Sequence, residues 1–97
     1  MDKVVYFNNL FAIYRELLTL KEQEIFSLYY EENLSMGEIA ENKDISRSAV
    51  GSTVKIVEKK LENYESILNV MGTQERLKQI ISCCKDEKLK KELETLL

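Results

Sequence analysis

Residues 35–61, SMGEIAENKDISRSAVGSTVKIVEKKL, decide the fold. Ser35 and Glu38 stand at the Ser-x-x-Glu spacing of a capping box. In that device the hydroxyl accepts from the third helical N–H while the carboxylate reaches back to the cap's own N–H. A short helix from Met36 to about Asn42 follows, with Ile39 and Ala40 on its inner side. Lys43 and Asp44 then break the pattern, Ile45 is apolar, and Ser46 offers a second N-cap. Beyond it Val50, Val54, Val57 and Leu61 recur at spacings of four and three, the mark of a helix with one buried stripe. Two capped helices joined by about four residues read as a helix-turn-helix, over about residues 35–61. Ala40 suits the crossing, since a larger side chain would hold the two helices apart.

The 97 residues suffice for one core and not for two, so residues 1–97 are read as a single helical domain. With no Pro, three Gly and no strand-like alternation, the expected class is all-α. No apolar run approaches the ~20 residues of a membrane span, and Met1-Asp2-Lys3 leads directly into helical pattern without a signal-peptide core. The expectation is a cytoplasmic chain with no membrane insertion. Cys83 and Cys84 are adjacent, and without any His they make no zinc set, so buried or half-buried free thiols are expected, with no metal and no cofactor. The net charge of −3 argues against a general nucleic-acid coat. Its distribution matters more: residues 1–34 hold six acidic and three basic side chains, whereas residues 35–63 hold five of each. The locally basic surface falls on the second helix of the motif, at Arg47, Lys55, Lys59 and Lys60.

Upstream, Val4, Phe7, Phe11, Tyr14 and Leu18 make one stripe of a first helix from about Lys3 to Leu18, and Val5, Leu10, Ile13 and Leu17 widen it. Such a helix has two faces to bury. One packs on the motif; the other calls for the C-terminal helices or a second subunit, and a homodimer is expected. Thr19 and Glu22 repeat the capping box and open a helix over about residues 20–31. The recognition helix looks long: its stripe continues through Tyr64, Leu68 and Met71 toward Gly72, a natural C-cap, for about 25 residues and roughly 37 Å. Residues 73–97 then supply a C-terminal extension with two short stripes, Leu77, Ile80, Ile81 and Cys84, then Leu89, Leu93, Leu96 and Leu97, the second capped by Asp86.

The Leu18-Thr19 start, the Leu28-Tyr29-Tyr30 helix end, Leu34-Ser35 with Glu38-Ile39-Ala40, and Ile45-Ser46 with Val50 together resemble region 4 of bacterial sigma factors. Nearly the whole chain is similar to the YlxM family of small bacterial helix-turn-helix proteins. That likeness rests on the aromatic first helix from Tyr6 to Tyr14, Ser27-Leu28-Tyr29-Tyr30, Ser35 to Ala40, Ser46 to Val50 and Leu61 to Glu65. The resemblance implies a sigma region 4-like bundle with added helices. It also implies a regulatory or accessory role in the signal recognition particle pathway, beside whose genes the family's own lie. The sequence departs from the pattern at Lys43-Asp44, Gly51-Ser52 and Ile56-Val57, removing side chains that would contact bases or phosphates or aim the turn.

For nucleic acid, DNA or the particle's RNA, the candidate contacts are Arg47, Ser48, Ser52 and Lys55, with Lys43 and Lys59 for phosphates, because recognition helices read base edges from their N-terminal turns. Arg47 alone has the planar fork that fits a guanine edge. The alternative for each is a solvated helix face. The targeting GTPase is a second candidate partner. Other readings are a transcription regulator using residues 46–55 and a protein-interaction module whose helix-turn-helix is a relic. With no His and no Gly-rich phosphate loop, and with Ser35 and Ser46 used as caps, no catalytic residue is expected.

Overall fold

Side-chain caps set where the helices begin in the computed structural model, which describes residues 2–97. Asp2 accepts from the Val4 N–H at 3.0 Å and opens α1, Lys3–Tyr14. Thr19 and Glu22 form both halves of their capping box at the start of α2, Leu20–Tyr30. Ser35 and Glu38 do the same for α3, Met36–Lys43. Ser46 accepts from the Ala49 N–H at 3.1 Å and opens α4, Arg47–Leu68. Asp86 caps the last helix, α6, Glu87–Glu94, through the Lys88 and Leu89 N–H groups. Between them runs α5, Val70–Cys83. Each cap satisfies N–H groups that a helix end otherwise leaves without partners.

The first helix stops earlier than its apolar pattern suggests. A 3-10 turn, Arg15–Leu17, replaces its last turn, and Leu18 is extended and buried. Arg15 explains the change: its guanidinium carbon lies 4.2 Å from the Phe11 ring centre while Nη2 reaches Glu31 Oε1 at 2.6 Å. The Leu18 N–H closes the turn on the Arg15 carbonyl at 3.1 Å, and the Tyr64 hydroxyl donates to the Leu17 carbonyl.

One apolar cluster joins α1 to α4: Phe7, Leu10, Phe11 and Tyr14, then Ile25, Phe26 and Tyr30, Ile39 and Ala40, and Val50, Val54, Val57 and Leu61. Phe26 sits at its centre, 5.0 Å from the Phe11 ring and 4.5 Å from that of Tyr30. Burying each such side chain contributes about 1.5–3 kcal/mol, with edge contacts between rings adding to it. The second face of α1 is covered in part by α5, where Asn9, Ala12 and Ile13 meet Met71, Gln74, Glu75 and Lys78; Val4, Val5 and Leu17 stay exposed.

The long helix ends at Leu68 and not near Gly72. Asn69 adopts the left-handed conformation (φ 49, ψ 38), and Gly72 falls inside α5. What fixes the break lies elsewhere in the chain. The Tyr14 hydroxyl donates to Glu65 Oε1 at 2.6 Å and accepts from the Val70 N–H at 3.2 Å. The Glu65 carboxylate accepts from the Met71 and Gly72 N–H groups at 3.1 and 3.0 Å. The first three N–H groups of α5 are therefore all satisfied by side chains outside it. The C-terminal helices bury little: Ile81 in α5, nothing in α6. Cys83 is exposed and Cys84 half-buried, both free, because a two-helix extension has no interior deep enough to cover two adjacent residues. No described helix is long and apolar enough to cross a membrane.

Candidate nucleic-acid interface

The turn between α3 and α4 aims the candidate face. Asp44 ends α3 in the left-handed conformation (φ 56, ψ 48), with its own N–H and that of Ile45 both bonded to the Ala40 carbonyl. The turn thus closes as it would with glycine, although Asp stands there. Ser46 then starts α4, whose buried stripe Val50, Val54, Val57 and Leu61 holds it against the core.

At about 100° per residue, Ser48, Ser52, Lys55 and Lys59 lie within about 40° of the direction opposite Val50, and all four are exposed. Ser52, Lys55 and Lys59 line a shallow groove with Ile56, Glu58 and Glu62. Arg47 is exposed but off this line, at about 60° from Val50. Its side chain crosses the start of α3, with Nε 3.5 Å from where a Cβ on Gly37 would stand. Lys43 is not with them: its Nζ lies 2.7 Å from Glu24 Oε2, which ties the end of α3 to α2. The structure therefore brings four of the six candidates onto one face, places Arg47 on its flank, and commits Lys43 to the scaffold.

Lys60, counted in the basic patch of the sequence, is likewise used internally. It pairs with Glu22 Oε2 at 2.7 Å, the same carboxylate that closes the α2 capping box. Burial pushes the Glu22 carboxyl up, but the Lys60 and Thr19 bonds outweigh it and hold the group below its ordinary value. Glu58 accepts from the buried Tyr30 hydroxyl and lies 3.6 Å from Lys3. Burial first, and the Glu58 bond second, push the Tyr30 hydroxyl far above its ordinary value. Among the described residues, no carboxylate lies within 4.0 Å of the charged nitrogens of Arg47, Lys55 or Lys59.

Ile56 and Glu62 belong to the groove and were absent from the sequence candidates. Their positions relative to Lys55 and Lys59 (one, three and seven residues apart) are the signal that places them there. Gly51 lies in this region, where an added Cβ would find room. A Cβ on it would stand 3.4 Å from Met36 Sδ, so α3 lies close against α4 here, at ordinary contact distance.

The arrangement offers two hydroxyls, two lysines and a flanking arginine along about three helical turns, all of them hydrogen-bond donors. No group of three or more His, Cys, Asp or Glu side chains that could hold a metal occurs among the described residues.

A family model described as "Putative helix-turn-helix protein, YlxM / p13 like" (UPF0122) matches residues 1–97. The chain is 41% identical to UPF0122 protein BH2485 of Halalkalibacterium halodurans over 86 residues, which are 89% of this chain and 79% of that protein. It is 40% identical to UPF0122 protein GK1195 of Geobacillus kaustophilus over 89% of this chain and 78% of that protein. A UPF0122 protein of Bacillus thuringiensis is 45% identical over 84% of this chain and 81% of its own length. The chain belongs to this helix-turn-helix family.

Proposed function

From that membership and the geometry of α4, we propose that the chain is a non-enzymatic regulatory or accessory protein of the cytoplasm that binds nucleic acid through the outer face of its recognition helix. One observation carries the reading. Of the other cations of α1 to α4, Lys3, Arg15, Lys43 and Lys60 each lie within 4.0 Å of a carboxylate and Lys21 does not, whereas α4 gathers three unpaired ones, Lys55 and Lys59 beside Ser48 and Ser52 and Arg47 on their flank. Arg47 offers a bidentate donor to a guanine edge, the serines donate to phosphate or base, and the lysines neutralise phosphates.

The setting we propose from the family resemblance is the signal recognition particle pathway, with the particle's RNA or a duplex near its genes as the ligand. A transcription regulator reading a duplex through residues 46–55 uses the same face and differs only in target. The targeting GTPase is the protein counterpart, and Ile56, Glu58 and Glu62, which line the groove beside the lysines, are the side chains that would meet a protein there.

Fluorescence anisotropy at physiological salt separates these readings, using the particle's RNA, the upstream duplex and a scrambled control of each. The expected result is preference for one target over its control and a loss of about fivefold or more with Arg47→Ala, since a good bidentate contact discriminates by about 1–3 kcal/mol. Equal, weak binding to all four refutes the nucleic-acid reading.

A further inference from the structure

Helices α5 and α6 leave apolar surface that nothing among the described residues covers. Helix α6 has eight residues, buries none of them, and packs on α5. Isolated helices of that length are marginal in water, yet this one has a two-bond Asp86 cap and a sharply segregated apolar side. The molecule is 55 Å long with a radius of gyration of 17.0 Å, against about 12–13 Å for a close-packed chain of this length. The chain is thus drawn out beyond one compact core, with α5 packed on α1 and α6 on α5.

Between α5 and α6 run two adjoining concavities that share Arg76 and Ile80; Leu77 and Leu96 line one, Leu89 and Leu93 the other. With Leu68 and Leu97, the exposed side chains of this end (Ile80, Leu89 and Leu96 among them) leave on the order of 500 Å² of apolar surface, at the upper end of what a monomer shows. We infer that this groove is a self-association face, filled by the same α5–α6 hairpin of a second copy of this chain.

Charge selects that occupant. Residues 73–97 hold six basic and five acidic side chains, interspersed along both helices. Neither a polyanion nor an anionic lipid surface is favoured by such a balance. A second identical hairpin, turned by a two-fold axis, meets mixed charge with mixed charge at the rim and apolar side chains at the centre. Two such faces with their polar rims reach the roughly 1,200 Å² at which stable interfaces begin. The inference stands without the nucleic-acid reading; the groove on α5 and α6 uses none of the α4 residues named there.

Sedimentation equilibrium without nucleic acid tests it, on the whole chain and on Ile80→Glu and Leu96→Glu. The whole chain is expected at twice its 11.3 kDa mass at about 100 µM. Each variant is expected to retain its helical circular dichroism and associate at least tenfold more weakly. A wild-type chain that stays monomeric at that concentration overturns the inference, and so does a dimer that persists in the folded variants. Should Ile80→Glu unfold, Leu96→Glu decides alone, because Leu96 is 67% exposed at the chain end and bears no core contact.

Discussion

Asp44 and Gly51 occupy backbone conformations that would each better suit the other's residue type. Asp44 holds φ 56 at the end of α3, where an L side chain is strained and glycine is free. Asp44→Gly is expected to raise stability by about 0.5–1 kcal/mol; an unchanged urea midpoint would show that the Asp side chain compensates. Gly51 sits within α4, where glycine costs about 1 kcal/mol against alanine. The neighbour of a new Cβ is the flexible thioether of Met36 at 3.4 Å, which can shift slightly. Gly51→Ala is therefore also expected to stabilise, by about 0.5–1 kcal/mol, while leaving nucleic-acid binding unchanged. On the outer face, Lys55→Ala should weaken binding to all sequences alike and lower the slope of log K against log salt by about 1, measured as anisotropy between low and moderate salt. A sequence-dependent loss would place Lys55 on a base and not on a phosphate.

At the scale of the elements, the junction of α4 and α5 depends on Glu65. Burial opposes its charge, but the Tyr14 hydroxyl and the Met71, Gly72 and Val70 backbone outweigh it, so the carboxyl titrates below its ordinary value of 4.5. A folded value below the unfolded one means that the stability it contributes is present above pH 4.5 and is lost as pH falls through the folded value. Glu22 is also held low and contributes on the same acid side. Tyr14 is shifted the other way, by burial first and the Glu65 bond second, so its contribution is lost as pH rises past 10.0. Glu65→Gln turns an amide donor toward an N–H that needs an acceptor. It is expected to cost about 1–2 kcal/mol at pH 7, and the difference from wild type should shrink at pH 3 in urea titrations. A difference equally large at both values would mean that shape, not charge, makes the cap. The capped helix starts at Thr19, Ser35, Ser46 and Asp86 were all legible in the sequence, because a cap and its partner lie within three residues. The break at Asn69 was not, since the stripe Tyr64, Leu68, Met71 runs across it and the deciding partner, Tyr14, is 56 residues from Val70. The outer face of α4 followed from periodicity. The loss of Lys43 and Lys60 to Glu24 and Glu22 did not, because those carboxylates come from α2 and only the packed structure brings them within reach.

The whole molecule divides its work along its 55 Å axis. The aromatic cluster of α1 to α4 provides most of the stability, the outer side of α4 faces outward at Ser48 to Lys59, and α6 adds no buried residue. Removing α6 by ending the chain at Cys84 should therefore remove that helix's circular dichroism but shift the main thermal transition by no more than about 4–8 °C, the effect of about 1 kcal/mol in a domain of this size. The Tyr14–Glu65 contact, the α5 cap and the α1–α5 packing all lie before the cut, so the recognition helix keeps its support. If the two hairpins pair, the same cut abolishes the dimer, and affinity for a nucleic acid with one binding site falls little, whereas affinity for one with two falls by the lost effective concentration. A large collapse of the transition would mean instead that α6 supports the core, and that the exposed leucines of the hairpin serve the monomer's own stability.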